Sequence, residues 1–424
     1  MTLSTSSAAD PLALWREGDV AGAIAAQRAA VRAGIDLEPL NDLAVMLAGG
    51  GRRGEARELL RAVAAADPRQ EDAADNLRAL DGGFAPAFLA GLARHWDDRL
   101  PDDDADVRPA YIDDSLPDAD ACVGRAMHTF VQIPYLEALY RELGSRSREI
   151  MVSVLLFRAL ERERVPPPLA PAVYRSALLR ARELVVERAV ARTDFCGWEL
   201  DRFDLAPLGL PLTVVSHEVA VATFFVLGQY RLERPGASVG VRPGDVVIDG
   251  GACWGDTAVA FAHHAGPSGR VLAFEFDPAN VAACRSNLEG NPAVADRVEI
   301  VEHALWNVGG EHLGYEPDGY GTTVALGSST TAHTTTATID QVVAERRLDR
   351  VDFVKLDIEG AELNALEGAA DTLRRFRPRL AIAAYHRNDD LTRIPELLRR
   401  LGLGYRFHLD HYTTHHGETV LYAD

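Results

Sequence analysis

Residues 246–257 read VVIDGGACWGDT, an apolar run followed by a glycine-rich turn and the start of a helical pattern. The aliphatic residues suit a buried strand, and glycines let a chain turn tightly and approach a ligand without a clashing Cβ. The helical pattern continues to His264. A strand, glycine turn and helix in this order predict the first unit of a ligand-binding α/β sheet.

The sequence that follows keeps alternating short apolar runs with helical patterns. Apolar runs at 271–274, 298–301, 351–356 and 380–383 are separated by stretches such as 278–288, which have helical periodicity. This alternation predicts a parallel sheet covered by helices on both faces. Ligands of such sheets bind at the carboxyl ends of the strands, so the residues after each apolar run are the site candidates.

The glycine turn predicts a cofactor site. Asp249 ends the first strand, where its carboxylate would meet a positive group such as the amino group of a methionine moiety. Glu275 ends the second strand, where a carboxylate can accept hydrogen bonds from two ribose hydroxyls. An NAD site is the alternative, but its Gly-x-Gly-x-x-Gly fingerprint is replaced here by Asp-x-Gly-x-x-x-Gly with a bulky Trp254. The turn therefore favours S-adenosylmethionine.

Several sequence blocks resemble the FkbM-type methyltransferase family. They read VIDGGACWGDTA at 247–258, FEFDP at 274–278 and DFVKLDIEGAE at 352–362, and the stretches 384–391, 410–413 and 418–423 are similar too. The resemblance covers residues 203–424. It implies a seven-stranded Rossmann-like methyltransferase fold, S-adenosylmethionine as cofactor, and O-methylation of a hydroxyl on a small molecule, a sugar or a natural-product intermediate.

The resemblance also places the cofactor. Glu275 would hold the ribose, and His303 and Ala304, after the third strand, would lie at the adenine edge. His303 departs from the acidic residue common in the family at this point. The full set of expected cofactor residues is Asp249, Gly250, Gly251, Trp254, Gly255, Thr257, Glu275, His303 and Ala304.

Methyl transfer to a hydroxyl needs a group that removes a proton. The candidates at strand ends are Asp357 and Glu359 after the fourth strand, His386 after the fifth, and His411 near the C-terminal strands. The carboxylates could instead cap a helix near Gly360, and each histidine could bond to backbone. Asp357, His386 and another carboxylate could also hold Mg²⁺, but their spacing is not diagnostic and no metal ligand is assigned.

Three further features have open interpretations. Lys355, the only lysine in the chain, lies within the fourth strand and could be catalytic or could form a structural ion pair. The polar stretch 311–336 could be a lid over the site or a surface hairpin. His415 and His416 are predicted to lie in a solvated turn before the last strand.

The N-terminal half predicts helices. Residues 1–83 resemble tetratricopeptide repeats, with Gly18-Asp19 and Gly51-Arg52 at equivalent positions. Such repeats could dock a protein partner, associate with a second copy, or only cap the fold. Residues 84–200 are predicted to hold an acidic linker at 95–121 and a helical subdomain, and residues 201–424 the methyltransferase domain.

Composition narrows the function further. The 424-residue chain has a net charge of −19, which disfavours a nucleic-acid partner. Its four cysteines form no CxxC pair, and no signal peptide or membrane span is recognisable, so a cytoplasmic protein is expected. The second hypothesis is a scaffold that binds the cofactor without turnover and docks partners through the repeats. The candidate bases favour the enzyme.

Overall fold

The computed structural model describes residues 83–100, 119–193, 198–315, 324–325 and 332–424, with a few positions between 41 and 73. The chain divides into two compact units, Met1–Leu89 and Ala90–Asp424. The predicted repeats at 1–83 lie almost wholly outside the described residues. The few positions described there include Ala44, Ala56 and Leu60, which are helical and buried.

Helices precede the first described strand, as the periodicity of residues 132–184 predicts. They are α1 (Phe84–His95), α2 (Ala119–Val131), α3 (Ile133–Glu142), α4 (Ser145–Leu160) and α5 (Pro171–Glu183). Most of the predicted linker at 95–121 lies outside the described residues. Its last three residues are not a linker but the first turn of α2, whose buried face is Cys122, Ala126 and Thr129 at helical spacing.

A small antiparallel sheet follows, made of β1 (Val185–Arg192), β2 (Glu199–Asp204) and β3 (Thr213–Ser216). The next helix, α6 (Glu218–Ala220), continues as a π-helix over Val221–Val226. The sequence pattern predicts helix as far as Tyr230. The helix stops earlier because Gly228 and Tyr230 both adopt positive φ angles, which turns the chain into the hairpin of β4 (Leu232–Arg234) and β5 (Ala237–Val239).

The remaining elements alternate as the sequence predicts. They are β6 (Val246–Gly250), α7 (Asp256–Ala265), β7 (Arg270–Phe274), α8 (Pro278–Glu289), α9 (Pro292–Ala295), β8 (Val298–Val301), β9 (Ala304–Leu305), β10 (His312–Tyr315), β11 (Val324–Ala325), β12 (Ala332–Ala337), α10 (Ile339–Glu345), β13 (Phe353–Leu356), α11 (Glu362–Glu367), α12 (Ala370–Phe376), β14 (Arg379–Ala383), α13 (Asp390–Arg400), β15 (Phe407–His411) and β16 (Thr419–Ala423).

Seven of these strands form one sheet in the order β15-β16-β14-β13-β6-β7-β8. β16 pairs antiparallel with β15 and β14, and the other neighbouring strands of the sheet pair in parallel. The chain moves outward from β6 to β7 and β8 on one side, and then crosses back to β13 on the other. The crevice beyond the carboxyl ends of β6 and β13 is therefore the topological switch point, where ligands of such sheets bind.

Two features frame this crevice. The stretch 311–336 could be a lid or a surface hairpin from its sequence. Its described residues form a hairpin, in which β10 pairs antiparallel with β11 and β12. On the opposite side, α4 packs on β15, and the Arg158 guanidinium donates a hydrogen bond of 3.0 Å to the carbonyl of Ala384. That contact fixes the backbone just before His386. Among the described residues, no helix is long and apolar enough to cross a membrane.

Candidate functional site

A pocket opens at the switch point, over the glycine-rich turn between β6 and α7. Its walls come from that turn, from the ends of β7 and β13, and from α8, β9 and the π-helix. The predicted residues that line it are Gly251, Trp254, Thr257, Glu275, His303, Ala304, Asp357 and Glu359. The predicted residues Asp249, Gly250, Gly255, His386 and His411 do not line it.

The three glycines of the turn are needed for packing rather than for ligand approach alone. A Cβ on Gly251, whose φ is +75°, would lie 1.8 Å from the carbonyl oxygen of Asp357. A Cβ on Gly255, whose φ is +80°, would lie 2.4 Å from Cys284 Sγ, and one on Gly250 would meet the Leu356 side chain. The glycine turn therefore packs directly against the end of β13, so the position of the turn depends on the position of Asp357.

Asp249 is buried within the sheet and does not line the pocket. Its side chain is fully buried, accepts a hydrogen bond of 2.8 Å from Thr257 Oγ1, and lies 3.2 Å from the ammonium of Lys355. Lys355 also donates to the carbonyl oxygens of Gly250 and Gly251, at 3.0 and 2.6 Å. The contact between Asp249 and a methionine amino group stays a prediction, and in the structure the carboxylate is paired with Lys355 and Thr257.

Glu275 is placed as the sequence predicts, at the end of β7 and in the pocket wall. Its Oε1 accepts hydrogen bonds from the backbone N–H groups of Phe276 and Asp277, at 2.7 and 2.8 Å, and Asn280 donates more weakly to Oε2. Burial raises the pKa of Glu275 to about 7, although these hydrogen bonds favour the charged form. A carboxylate oriented in this way can accept hydrogen bonds from a diol.

The far end of the pocket is apolar and flat. Ala304 and Leu305 of β9 line it, and the ring of Phe276 packs edge-on against Tyr315 of β10, with centroids 5.0 Å apart. His303 Nδ1 lies 3.2 Å from the carbonyl oxygen of Thr335. A carbonyl only accepts, so in the neutral ring Nδ1 carries the proton and Nε2 remains an acceptor. An aromatic, amino-bearing ring would fit these walls.

Two tyrosine hydroxyls hold the carboxylate of Asp357 in place. Tyr230 donates to Oδ2, and Tyr385 donates to Oδ1 at 3.1 Å. Glu359, two residues later, has a φ of +53° and keeps 24% of its side chain exposed. Burial raises the pKa of Glu359, and the charge of His386 lowers it only in part. Asp357 is thus a carboxyl group fixed by two hydroxyls, beside a second carboxyl group whose pKa is raised.

His386 stands behind these carboxylates rather than in the pocket wall. Its Nδ1 lies 2.8 Å from Oε1 of the buried Glu362, and its Nε2 lies 3.4 Å from both Asp357 Oδ1 and Glu359 Oε2. Burial by itself lowers the pKa of His386. The negative charges of Glu362 and Glu359 outweigh burial and raise that pKa well above its ordinary value. The ring is therefore charged in the absence of another cation.

His411 is not part of the site. It is buried in β15, with Nδ1 2.9 Å from Thr419 Oγ1, and desolvation lowers its pKa to about 3. A histidine this reluctant to accept a proton is a poor base. The predicted solvated turn at 415–416 is also wrong for His415, which is only 5% exposed. His416 is more open and pairs with Glu161 at 2.7 Å.

Three residues in or beside the pocket have strained backbone conformations. Tyr230, Cys253 and Glu359 all have φ between +47° and +69°, a region that residues with a Cβ rarely adopt. Cys253 and Glu359 line the pocket, and Tyr230 bonds to the lining residue Asp357. Strain of this kind persists only where the surrounding structure enforces it, and it clusters at functional sites.

Sequence reasoning missed several residues of the site. Tyr230 and Tyr385 orient Asp357, Glu362 holds His386, and Asn280 reaches Glu275. Tyr385 could have been predicted as a site residue, because it follows strand β14 directly beside His386. Tyr230 comes from a distant segment. Glu362 and Asn280 lie three and five residues after Glu359 and Glu275, but their contacts depend on the folded turns.

A second cavity adjoins the first, and Phe224 and Thr257 line both. It follows α7 from Thr257 to His264 and is bounded by the π-helix and the β4–β5 hairpin. Its walls are apolar and polar in equal measure, and the charged residues among them include Arg231, Glu233 and Arg242. Tyr230 also lines this cavity, so its ring and its hydroxyl connect the second cavity with Asp357.

Comparison with known proteins agrees with this geometry. Residues 238–407 match the family model of the methyltransferase FkbM domain. The sequence matches no curated protein.

Among solved structures, a methyltransferase FkbM from Methylobacillus flagellatus KT shares 20% identity over 69% of this chain and 59% of its own, with a TM-score of 0.44. A SAM-dependent O-methyltransferase from Thermotoga maritima shares 16% identity, over 43% of this chain and 60% of its own, with a TM-score of 0.28. A fibrillarin from Aeropyrum pernix, with natively bound S-adenosyl-L-methionine, shares 13% identity, over 57% and 99%, with a TM-score of 0.30. Likenesses this low carry no information on substrate. This chain spans less than two thirds of the length of the Methylobacillus protein.

Proposed function

We propose that this chain, whose residues 238–407 are an FkbM-type S-adenosylmethionine-dependent methyltransferase domain, transfers a methyl group to a hydroxyl oxygen of a small molecule. The observation that carries the choice of oxygen is the cluster of Asp357, Glu359 and His386 at the edge of the cofactor pocket. A hydroxyl must lose its proton as its oxygen is methylated, and this cluster can accept it.

The pocket fits the cofactor at each end. Glu275 is a preoriented carboxylate for the ribose hydroxyls, and the apolar wall of Ala304, Leu305 and Phe276 suits the adenine ring. The methionine end would lie by Gly251 and Asp357, where the turn meets β13. S-adenosylmethionine supplies a methyl group on a sulfonium, which leaves as S-adenosylhomocysteine when the new O–C bond forms.

The side chains of the site then have distinct tasks. Asp357 is held by Tyr230 and Tyr385 and can accept a hydrogen bond from the acceptor hydroxyl, which orients its oxygen. Glu359 is the group we assign to take the proton, because it is the most exposed of the three and burial raises its pKa. His386 lies behind both and offsets their negative charge.

The acceptor has room in the second cavity. That cavity shares Phe224 and Thr257 with the cofactor pocket, and its walls are about equally polar and apolar. An acceptor with both apolar and polar groups could lie along α7 and present its hydroxyl between Tyr230 and Glu359. Arg231 in this wall is paired with Glu233, so the wall offers both donors and acceptors of hydrogen bonds.

The decisive experiment is transfer of radioactive methyl groups from labelled S-adenosylmethionine to a metabolite extract. We expect the wild-type chain to label a product, Asp357→Asn and Glu359→Gln to lose at least about 100-fold in rate, and all of them to bind S-adenosylhomocysteine. Asp371→Asn, which changes an exposed carboxylate on α12, is the matched control and should transfer normally. Cofactor binding without transfer to any extract would instead support a non-catalytic scaffold.

A further inference from the structure

Three side chains at the ends of β13 and β14 leave one small polar space between them. One ligand atom each from Asp357, Glu359 and His386 lies within 4.8 Å of the others. His386 Nε2 is 3.4 Å from both carboxylates, beyond the usual N–H···O distance of about 2.9 Å. It makes no hydrogen bond although the side chain is only 8% exposed. A buried ring nitrogen without a partner is costly, and it points into this space.

The separations suit a shared cation better than direct contact. Two donor atoms that each lie about 2.1 Å from an ion are separated by about 3.0 Å at octahedral angles and about 3.4 Å at tetrahedral angles. The two distances from His386 Nε2 fall in this range. Each carboxylate also keeps a second oxygen: Asp357 Oδ2 holds the Tyr230 hydroxyl, whereas Oδ1, which faces His386, is shared with the Tyr385 hydroxyl.

The other nitrogen of His386 is already arranged for this role. Glu362 is fully buried, and its Oε1 accepts from the Ile358 N–H at 2.9 Å and lies 2.8 Å from His386 Nδ1. A carboxylate bound to Nδ1–H fixes the tautomer that leaves Nε2 with its lone pair free, as seen around histidines that bind metals. The same carboxylate bonds to the turn that carries Glu359, so one residue positions two of the three donors.

The charge around this space also calls for a cation. Asp357, Glu359 and Glu362 surround one imidazole, and the neighbouring Lys355 is committed to Asp249 and the turn carbonyls. A divalent ion held between Asp357, Glu359 and His386 would bring positive charge to this cluster of carboxyl groups.

We propose that Asp357, Glu359 and His386 bind one divalent first-row metal ion, oriented by Glu362. Two carboxylate oxygens and one imidazole nitrogen favour Mn²⁺ over Mg²⁺, which prefers all-oxygen shells and retains its waters. The remaining coordination positions face the pocket that Asp357 and Glu359 line. Binding of the ion stands on these residues alone, whereas its use to orient an acceptor hydroxyl rests on the proposed methyl transfer.

Mn²⁺ itself is the probe. Electron paramagnetic resonance of free Mn²⁺, titrated with metal-free full-length chain, should show one bound ion per chain, and pulsed spectra should show coupling to one imidazole nitrogen. His386→Ala should abolish the nitrogen coupling and weaken binding at least tenfold, and Glu359→Gln should weaken binding while retaining the coupling. Glu362→Gln should weaken binding about 10- to 100-fold, because the ring loses its orienting carboxylate. Glu367→Gln, an exposed carboxylate on the same helix, is the matched control.

Binding of S-adenosylhomocysteine checks that each variant is folded, and Glu359→Gln, on the most exposed donor, remains informative if His386→Ala does not fold. Absence of bound Mn²⁺ in the folded wild type, or Mn²⁺ binding that is equal in wild type and Glu359→Gln, overturns the proposal. Methyl transfer that proceeds in chelator-treated protein without Mn²⁺ binding would refute the metal site and leave the methyltransferase intact. Mn²⁺ binding without methyl transfer would support the metal site and refute the proposed methyl transfer.

Discussion

Lys355 and Asp249 are register partners on β13 and β6, and their charged groups lie 3.2 Å apart in the interior of the sheet. The same ammonium bonds to the carbonyl oxygens of Gly250 and Gly251. Burial lowers the pKa of Lys355, but Asp249 and Asp357 outweigh burial and raise it above its ordinary value. The single lysine of the chain therefore ties the cofactor turn to the strand that carries the reactive carboxylates.

Removing one member of this pair should be costly. We expect Lys355→Met to lower the free energy of unfolding by about 3–5 kcal/mol, because it leaves the buried charge of Asp249 uncompensated. Chemical denaturation measures the loss. The double variant with Asp249→Asn should recover part of it, and simple addition of the two single losses would show that the residues are not coupled.

In wild type, ¹³C-lysine labelling gives one side-chain resonance, which should report a charged amine and shift when S-adenosylhomocysteine binds.

Gly251 should tolerate no side chain. Gly251→Ala places a Cβ 1.8 Å from the Asp357 carbonyl oxygen at a φ of +75°, so the turn must move away from β13. We expect cofactor affinity to fall by at least about 100-fold, measured by calorimetry with S-adenosylhomocysteine.

Gly266→Ala is the matched control for that substitution. Its φ is +69°, but nothing lies within 4 Å of the added Cβ. It should cost about 1 kcal/mol of stability through backbone strain and leave affinity unchanged. Equal effects on binding at the two glycines would show that general strain, rather than the contact with Asp357, is responsible.

The sequence predicts the strands, the turn and most of the pocket because these depend on local patterns. Apolar runs, glycines and strand-end carboxylates mark β6, β7 and β13, and Glu275 lies in the pocket wall as predicted. The ion pair of Asp249 with Lys355 could not be predicted from local sequence, because Lys355 lies on a strand that becomes its neighbour only after the crossover. His411 likewise follows the pattern of a strand-end base, but packing of β15 against α4 buries it.

Cofactor binding should depend on the ionisation of Glu275. Its pKa is raised from 4.5 to about 7 by burial, with Asp277 adding to the rise and the N–H groups of Phe276 and Asp277 opposing it. Ribose hydroxyls donate best to the charged form, so affinity for S-adenosylhomocysteine should rise between pH 5.5 and 7 and then level off. Calorimetry in buffers of different ionisation enthalpy should detect proton release on binding below pH 7.

Stability of the ligand-free protein should show the opposite trend at Glu275. A carboxyl group whose folded pKa is raised stabilises the fold below its unfolded pKa, and that stability is lost as pH rises through 4.5 to 7. Glu275→Gln should therefore bind the cofactor more weakly and yet be more stable than wild type at pH 8, by up to about 3 kcal/mol. A variant that loses both affinity and stability at pH 8 would contradict this assignment.

His411 should matter for acid stability and not for catalysis. Its pKa falls from 6.5 to about 3 because burial disfavours the charged ring, with His415, Arg158 and His416 adding to the decrease. A histidine with a depressed folded pKa stabilises the fold above its unfolded pKa, and that stability is lost as pH falls below 6.5. The difference in free energy of unfolding between wild type and His411→Gln should therefore shrink by about 2 kcal/mol from pH 6.5 to pH 5.

The pKa of His415 is also lowered to about 3, so the stability difference between wild type and His415→Gln should shrink over the same pH range. A difference that stays constant with pH, or a loss of methyl transfer in folded His411→Gln at pH 8, would return His411 to the list of candidate bases.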